Sequence, residues 1–533
     1  MADPHTFTRT LLAQLQTVPA DVAASELPAY RYNGDPDKGH GDDAADAAAD
    51  PVAQFATWCT PHTFRLGTGA SQFASALLPA LLTARHEILF ATCFWAPSKS
   101  LSGLSEALVR LATARSSSST SCPPLRIRIG LSSRSLLQKL LHTSSCDGYT
   151  YPEATWESQL GLPPPDVLAA GGIDLSVKSL FFLPLSVMHP KYVIVDRQRA
   201  FLPSCNVSWE PWLEDCIEVT GDAVGLLVSF HARTWGNDLP LWQDEANLSA
   251  GDGHSNGSAA VSAPCEYDIG PVDADGPGSI LVRFSSTTAP VPTVILPSSH
   301  HRNPLFRPFP WQGYAPPPPT PLNLAMLQLL RTAAHRIYLQ SPNLTAEAVI
   351  VEVLAALGRG VDVDIVTSEH MMVYEQILTA GTTTARCIRR LVKQYNALLS
   401  QQPREASGIG RLTIMYYKPL QAGRTGSDIE QALLPNHAPA PAMSPVSQPC
   451  PQTSASGFAV DTEQPVHSHA KLSIFDGEHT MLGSGNLDRA SFFTSQELGI
   501  LLHSTTFARA VQTAVDRVLE GRLKQVYPPV SLE

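Results

Sequence analysis

Two stretches of the chain set an imidazole, an ammonium and a carboxylate at the same spacing. His189, Lys191 and Asp196 form one HxKxxxxD run, and His469, Lys471 and Asp476 form the other. Each run is followed by a short turn, Pro203-Ser204-Cys205-Asn206 in the first copy and Gly483-Ser484-Gly485-Asn486 in the second. An acidic residue then recurs at nearly equal spacing, Glu218 after the first copy and Glu497 after the second. One such run is compatible with chance, but a doubled constellation marks an internal duplication.

The chemistry that fits these residue types is displacement at a phosphodiester. It needs a nucleophile, a proton donor for the leaving oxygen and cations for the phosphoryl oxygens. A neutral imidazole can attack phosphorus while a protonated one donates to the leaving group, since both states of histidine are accessible near neutral pH. The first step yields a phosphohistidine, which water or an alcohol then resolves. Lys191 and Lys471 are expected to clamp the phosphate as point charges. Ser204, Asn206, Ser484 and Asn486 are expected to bind it through hydroxyl, amide and backbone N–H donors. Period-2 alternation puts His469, Lys471 and Ser473 on one face of a strand and turns Asp196 and Asp476 to the other, so these aspartates are read as structural anchors. Glu218 and Glu497 are expected each to hydrogen-bond an imidazole and fix its tautomer.

Any single one of the seventeen histidines is more often structural or exposed than catalytic, and His467, His479 and His503 are read that way. Trp209, Glu210 and Trp212 either line a substrate entrance or pack in the core, the commoner role of tryptophan. Asn343 is a weaker candidate for substrate contact, and Arg389-Arg390 reads as a solvated helix face.

The doubled motif resembles the phospholipase D superfamily, and the resemblance runs from about Phe64 to Leu519. It implies an α/β fold made of two sandwich halves, mixed sheets flanked by helices, packed about a pseudo-twofold axis with the motifs meeting at their interface. His189, Lys191, Asp196, His469, Lys471, Asp476, Glu218 and Glu497 then form the catalytic set. The resemblance implies His189 as the nucleophile and metal-independent chemistry, so neither a metal nor a cofactor is expected. It also implies hydrolysis or transfer of a phospholipid headgroup, as in the branch that includes cardiolipin synthases. The alternatives are a nuclease of the same superfamily and a phospholipid-binding pseudoenzyme. Asp196 and Asp476 argue against the tyrosyl-DNA phosphodiesterase branch, which lacks the motif aspartate. Pro203 and Cys205 depart from the glycines usual in the first turn; Pro203 removes an N–H donor, which either weakens the anion contact there or leaves the loop intact.

The rest of the chain must position these groups. Its 533 residues, 44% of them hydrophobic, suffice for large cores. Helical and extended patterns alternate on both sides of the chain's middle, as in an α/β layer fold. An N-terminal helix over Phe7 to Val18 and a flexible segment are expected in residues 1–55. The first half follows at 56–240, linker and covering loops at 241–320 with one short strand near Ile280, and the second half at 321–533. A Pro/Ala/Ser-rich insert interrupts the second half at about 434–462. A formal net charge of −11 argues against a globally basic nucleic-acid binder. Nine cysteines without paired spacing suggest reduced thiols, and neither a secretory signal nor a spanning run of about 20 apolar residues is visible. An intracellular protein is expected, cytoplasmic or peripheral at a membrane, with a phospholipid substrate. It is expected to be monomeric, because both motifs lie in one chain.

Overall fold

The computed structural model describes residues 55–117, 123–134, 148–182, 186–236, 267–285, 288–300, 316–401, 408–420, 457–458 and 463–528, with Thr10 and Ala13. The helix expected over Phe7 to Val18, those two residues apart, lies outside the described residues. So does the insert at 434–462, Gly457 and Phe458 apart.

The first half builds a mixed sheet from β1 (Ala56–Thr68), β2 (Glu87–Phe94), β3 (Leu125–Ser133), β4 (Ile173–Ser179), β5 (Tyr192–Val195), β6 (Arg199–Pro203) and β7 (Trp212–Thr220). Strands β2, β3 and β4 run parallel, while β5, β6, β7 and β1 continue antiparallel from the other edge of β2. The order is β4-β3-β2-β5-β6-β7-β1.

The second half repeats it with β8 (Val291–Ser298), β9 (Arg336–Gln340), β10 (Asp362–Thr367), β11 (Leu412–Tyr417), β12 (Leu472–Phe475), β13 (His479–Gly483) and β14 (Glu497–His503). Its order is β11-β10-β9-β12-β13-β14-β8, with the same strand directions. The inner strands are apolar runs, as Ile88-Leu89-Phe90-Ala91 in β2, because both of their faces are covered.

Helices supply the layers. Helix α1 (Lys99–Ser116) covers the outer face of the first sheet, and α3 (Pro321–Thr332), α4 (Glu347–Gly358) and α5 (Thr384–Gln401) cover the outer face of the second. Between the sheets lies a core to which both contribute, with Tyr192 and Ile217 from the first, Leu472 and Ile500 from the second, and apolar faces of α2 (Asp222–Trp235) and α6 (Thr505–Leu519). Ser98, Thr320 and Ser504 cap α1, α3 and α6 through side-chain oxygens, each cap contributing about 1 kcal/mol. No helix among the described residues is long and apolar enough to cross a membrane.

Two expectations are corrected. Val291–Ser298 lies where the sequence suggested linker, yet it forms β8, paired to β14 over Thr293–Ser298. The halves also share a strand. Thr60–Thr68 of β1 pair with β7 of the first sheet, whereas Ala56–Cys59 pair with β8 of the second. Its proline-bearing sequence, with Pro61 at a register shift, hid this strand from a reading by alternation.

Candidate active site

The motif aspartates are structural. Asp196 takes the left-handed conformation, φ 51°, and its carboxylate accepts the backbone N–H groups of Arg85, His86 and Glu87 at 2.8–2.9 Å. Asp476 does the same in the second half, φ 53°, for Ala334, His335 and Arg336 at 2.8–3.0 Å. Each thereby ties the hairpin after its motif to the start of the neighbouring strand, β2 or β9. Charge-assisted bonds of this kind are worth roughly 1.5–3 kcal/mol apiece.

The histidines and lysines do not sit on the strands, as alternation suggested. They precede them, β5 starting at Tyr192 and β12 at Leu472. What aligns them is pairing between the halves. His189 donates its backbone N–H to the carbonyl of Gln496 at 3.0 Å, and His469 donates its own to that of Leu213 at 2.8 Å. Gln496 and Leu213 immediately precede the glutamates that hold the rings. His189 Nδ1 lies 2.8 Å from Glu497 Oε2, and His469 Nδ1 lies 2.8 and 2.9 Å from the two oxygens of Glu214. Each half therefore orients the other half's imidazole. With Nδ1 engaged by a carboxylate, Nε2 of each ring is the nitrogen presented for chemistry.

Glu218, expected to hold an imidazole, does not. Its carboxylate pairs with Arg199, at 2.6 Å to Nη2, and accepts from the Thr63 hydroxyl. The residue in that role is Glu214, one helical turn's worth of sequence earlier. The spacing misled because the second half carries a short helix, Arg489–Phe493, between Asn486 and Glu497, and the first half has only a bend there. Counting from Ser204 and Ser484 repeats the error, since the glutamates lie 10 and 13 residues on.

Both serine hydroxyls, expected on the phosphate, are committed to these glutamates. Ser204 Oγ donates to Glu214 Oε2 and Ser484 Oγ to Glu497 Oε2, each at 2.5 Å, and each accepts a backbone N–H, from Asp215 at 2.8 Å and from Leu498 at 3.0 Å. Asn206 accepts from the Phe94 N–H through Oδ1, and Asn486 donates to Asp488. Pro203 leaves the first turn intact, since the Ser204 N–H reaches Asp215 O at 2.8 Å as that of Ser484 reaches Leu498 O at 3.0 Å. Gly483 is needed in its place, because at φ 140° a Cβ would lie 2.4 Å from Leu498 O.

Each lysine spends one of its three donors on its own histidine's carbonyl, Lys191 at 2.8 Å and Lys471 at 2.6 Å. Lys471 also donates its backbone N–H to Asp215. His469, Lys471 and Lys191 are 2–4% exposed; the His189 side chain, at 14%, is the more open ring. Trp212 packs on His469 with ring centroids 4.8 Å apart, while Trp209 is exposed. Asn343 is buried against Gln376, 2.8 Å away, and Arg389 and Arg390 are exposed as expected.

Burial and mutual fields set the protonation states. Burial lowers both histidines, with Lys191 and Lys471 pushing the same way on each; His469 also feels His189. Burial raises Glu214 despite Lys471 and Ser204. Burial would raise Glu497 too, but His189, Ser484 and Lys191 together hold it below the usual carboxylate range. Burial drives Asp215 up to about 7 and Lys471 down to about 8. The two carboxylates are thus shifted in opposite directions, Glu497 down and Glu214 up, behind two imidazoles that are both shifted down. An anion placed between the lysines would raise the Lys471 ammonium and the His469 imidazole again.

A sequence profile described as cardiolipin synthase, PLD-like domain, matches residues 326–519, which include the second motif and Glu497. No curated protein matches the chain. Among solved structures, phosphatidylserine synthase from Haemophilus influenzae Rd KW20 superposes with a TM-score of 0.48 and 11% identity, covering 88% of this chain and 89% of its own. The phospholipase D family member Nuc from Salmonella typhimurium covers 39% of this chain and 90% of its own, with 16% identity and a TM-score of 0.23. Polyphosphate kinase from Porphyromonas gingivalis covers 87% of this chain and 48% of its own, with 10% identity and a TM-score of 0.38.

Proposed function

We propose, on the premise that this chain carries a phospholipase D-like domain and belongs to that superfamily, that it is a phosphodiesterase that hydrolyses or transfers phospholipid headgroups through a phosphohistidine. The observation that supports this reading is the reciprocal hold of Glu497 on His189 and Glu214 on His469, with Lys191 and Lys471 acting on both rings.

His189 is the nucleophile. Its Nε2 lone pair forms a bond to phosphorus as the bond from phosphorus to the headgroup oxygen breaks, and the His469 imidazolium delivers its proton to that oxygen. In the second step water or an acceptor alcohol gives its proton to His469 and attacks phosphorus, and the P–N bond breaks. The two ammoniums hold the non-bridging oxygens throughout, where a water-poor site makes each charge count for more than at the surface. Glu497 fixes the His189 tautomer and stabilises the charge that forms on the ring. Glu214 does so for the ring that cycles as acid and base. The greater exposure of His189 favours it as the ring that meets the phosphorus of an arriving lipid.

The test is turnover of headgroup-labelled phosphatidylcholine and phosphatidylglycerol and of single-stranded DNA, with and without ethanol, in the presence of a chelator. Phosphatidylethanol formed in chelator supports the proposal. DNA cleavage alone would assign the site to a nuclease, and no turnover of any diester would make the chain a binding protein.

A further inference from the structure

Outside the candidate active site, three metal-ligating side chains converge at the other end of the β13–β14 ladder from Ser484. His479 and His503 are direct cross-strand partners. Nε2 of His479 and Nδ1 of His503 lie 3.0 Å apart, with ring centroids at 4.5 Å and planes at 60°. Glu478 sits in the adjoining turn, and one ligand atom from each of the three residues falls within 4.8 Å of the others. We infer that Glu478, His479 and His503 bind one divalent transition-metal ion of the zinc type.

The donor set and geometry suit such an ion. Zinc takes imidazole nitrogen at about 2.0–2.1 Å and carboxylate oxygen at about 2.0–2.2 Å in tetrahedral array, which spaces its ligand atoms by roughly 3.3 Å. The two nitrogens therefore need to part by only a few tenths of an ångström, and the carboxylate needs to swing by at most about 1.5 Å. Two imidazoles and a carboxylate leave the fourth position to water.

The backbone already holds these residues in place. The Glu478 N–H donates to Phe475 O at 3.0 Å, and its carbonyl accepts the Ser504 N–H at 2.8 Å, stitching the turn to the residue after His503. Asp476 stands near but is committed to the backbone N–H groups of residues 334–336, so it adds negative field without being a ligand.

Among the described residues, the same corner of the first half contains no such set. Arg199 and Thr220 occupy the paired positions there, and Arg199 is closed by its ion pair with Glu218. The duplication thus ends in an ion pair in one half and in three converging ligands in the other. No spacing in the sequence announced this, because His503 reaches the turn only through strand pairing. A metal there would brace the hairpin whose far end carries Ser484 and, through it, Glu497.

The test uses untagged full-length protein stripped with chelator, then titrated with Zn(II) by calorimetry and with Co(II) by visible absorption. One equivalent of Zn(II) at micromolar or tighter affinity is expected, with a raised Tm. Four-coordinate Co(II) d–d bands are expected as well, and need no variant. His479→Gln and His503→Gln should each weaken Zn(II) binding about 100-fold or more, since each removes a direct ligand, more than the 10–100-fold for an outer-shell partner. Absent Co(II) bands, no binding at micromolar Zn(II), or binding that survives both substitutions would overturn the inference. None of these readouts depends on phosphodiester turnover, so they stand or fall apart from the proposed activity.

Discussion

The two glutamates of the candidate site have the same task and different surroundings. Glu497 accepts from His189, from Ser484 and, at 2.7 Å, from the Ser491 hydroxyl, whereas Glu214 accepts from His469 and Ser204. Ser491 is available only because the second half inserts the helix Arg489–Phe493, capped by Asp488, where the first half makes a bend. The shifts run in opposite directions: burial pushes Glu214 above the carboxylate range, while His189, Ser484 and Lys191 outweigh burial and hold Glu497 below it. A duplicated frame thus yields an unequal pair of imidazoles, one backed by a carboxylate held low and one by a carboxylate pushed up. In the proposed mechanism these are the nucleophile and the acid–base group.

The severest way to break this comparison is to remove either ring. His189→Asn and His469→Asn should each lower kcat by about 10³-fold or more, because the two act as a unit; a variant within tenfold of wild type would remove that ring from the mechanism. Next, Glu214→Gln should cost about 10–100-fold in kcat, the usual effect of losing an orienting partner, while Glu218→Gln stays within about threefold and lowers Tm instead by losing its pair with Arg199. Steady-state kinetics and thermal unfolding of both variants would settle which glutamate serves the ring.

A third difference lies in the cores beneath. The first half buries His231 against the Tyr192 hydroxyl at 3.0 Å, and the second half has Leu472, three residues after its motif histidine, where the first has Tyr192. Burial lowers His231 to about 3, below the roughly 6.5 of the unfolded chain. Its contribution to stability is therefore full above pH 6.5 and falls as pH drops toward 3, by about 1.4 kcal/mol per unit. Between pH 7 and pH 5 the loss is about 2 kcal/mol, roughly thirtyfold in the folding equilibrium. His231→Gln should flatten that part of the urea-unfolding stability profile against pH, and an unchanged slope would contradict the assignment. The smallest effect is expected from Ser491→Ala. Deprived of that donor, Glu497 becomes more basic and pulls harder on the His189 proton, so the acid limb of kcat/KM should move toward neutrality with kcat changed by only about threefold. No shift would make Ser491 irrelevant to the asymmetry.

The duplication, the alternation of layers and the six motif residues were legible because they are local patterns repeated at fixed spacing. Asp196 and Asp476 were read as anchors from alternation and placed in the catalytic set by the resemblance; their carboxylates hold backbone N–H groups, so the anchor reading stands and the catalytic one is corrected. Glu214 was not legible, because the two copies differ in loop length exactly between the turn and the strand that carries the glutamate. The serines were misread for a related reason. Nothing in a hydroxyl's sequence position says whether it faces a ligand or a neighbouring carboxylate. Strand β8 and the double use of β1 were hidden because prolines interrupt both, and the partners that make them strands lie in the other half of the chain.

The central claim is that His189 and His469 work on one phosphorus atom. Its most direct test is rapid acid-free quenching of wild-type protein and His469→Asn with short-chain phosphatidylcholine, followed by peptide mass mapping. The account predicts one phosphatidyl group on the wild-type peptide that contains His189, lost in acid, and formed far more slowly in the variant, which lacks the acid of the first step. Turnover by wild-type protein with no histidine-bound intermediate, or an adduct that persists in His189→Asn, would contradict it.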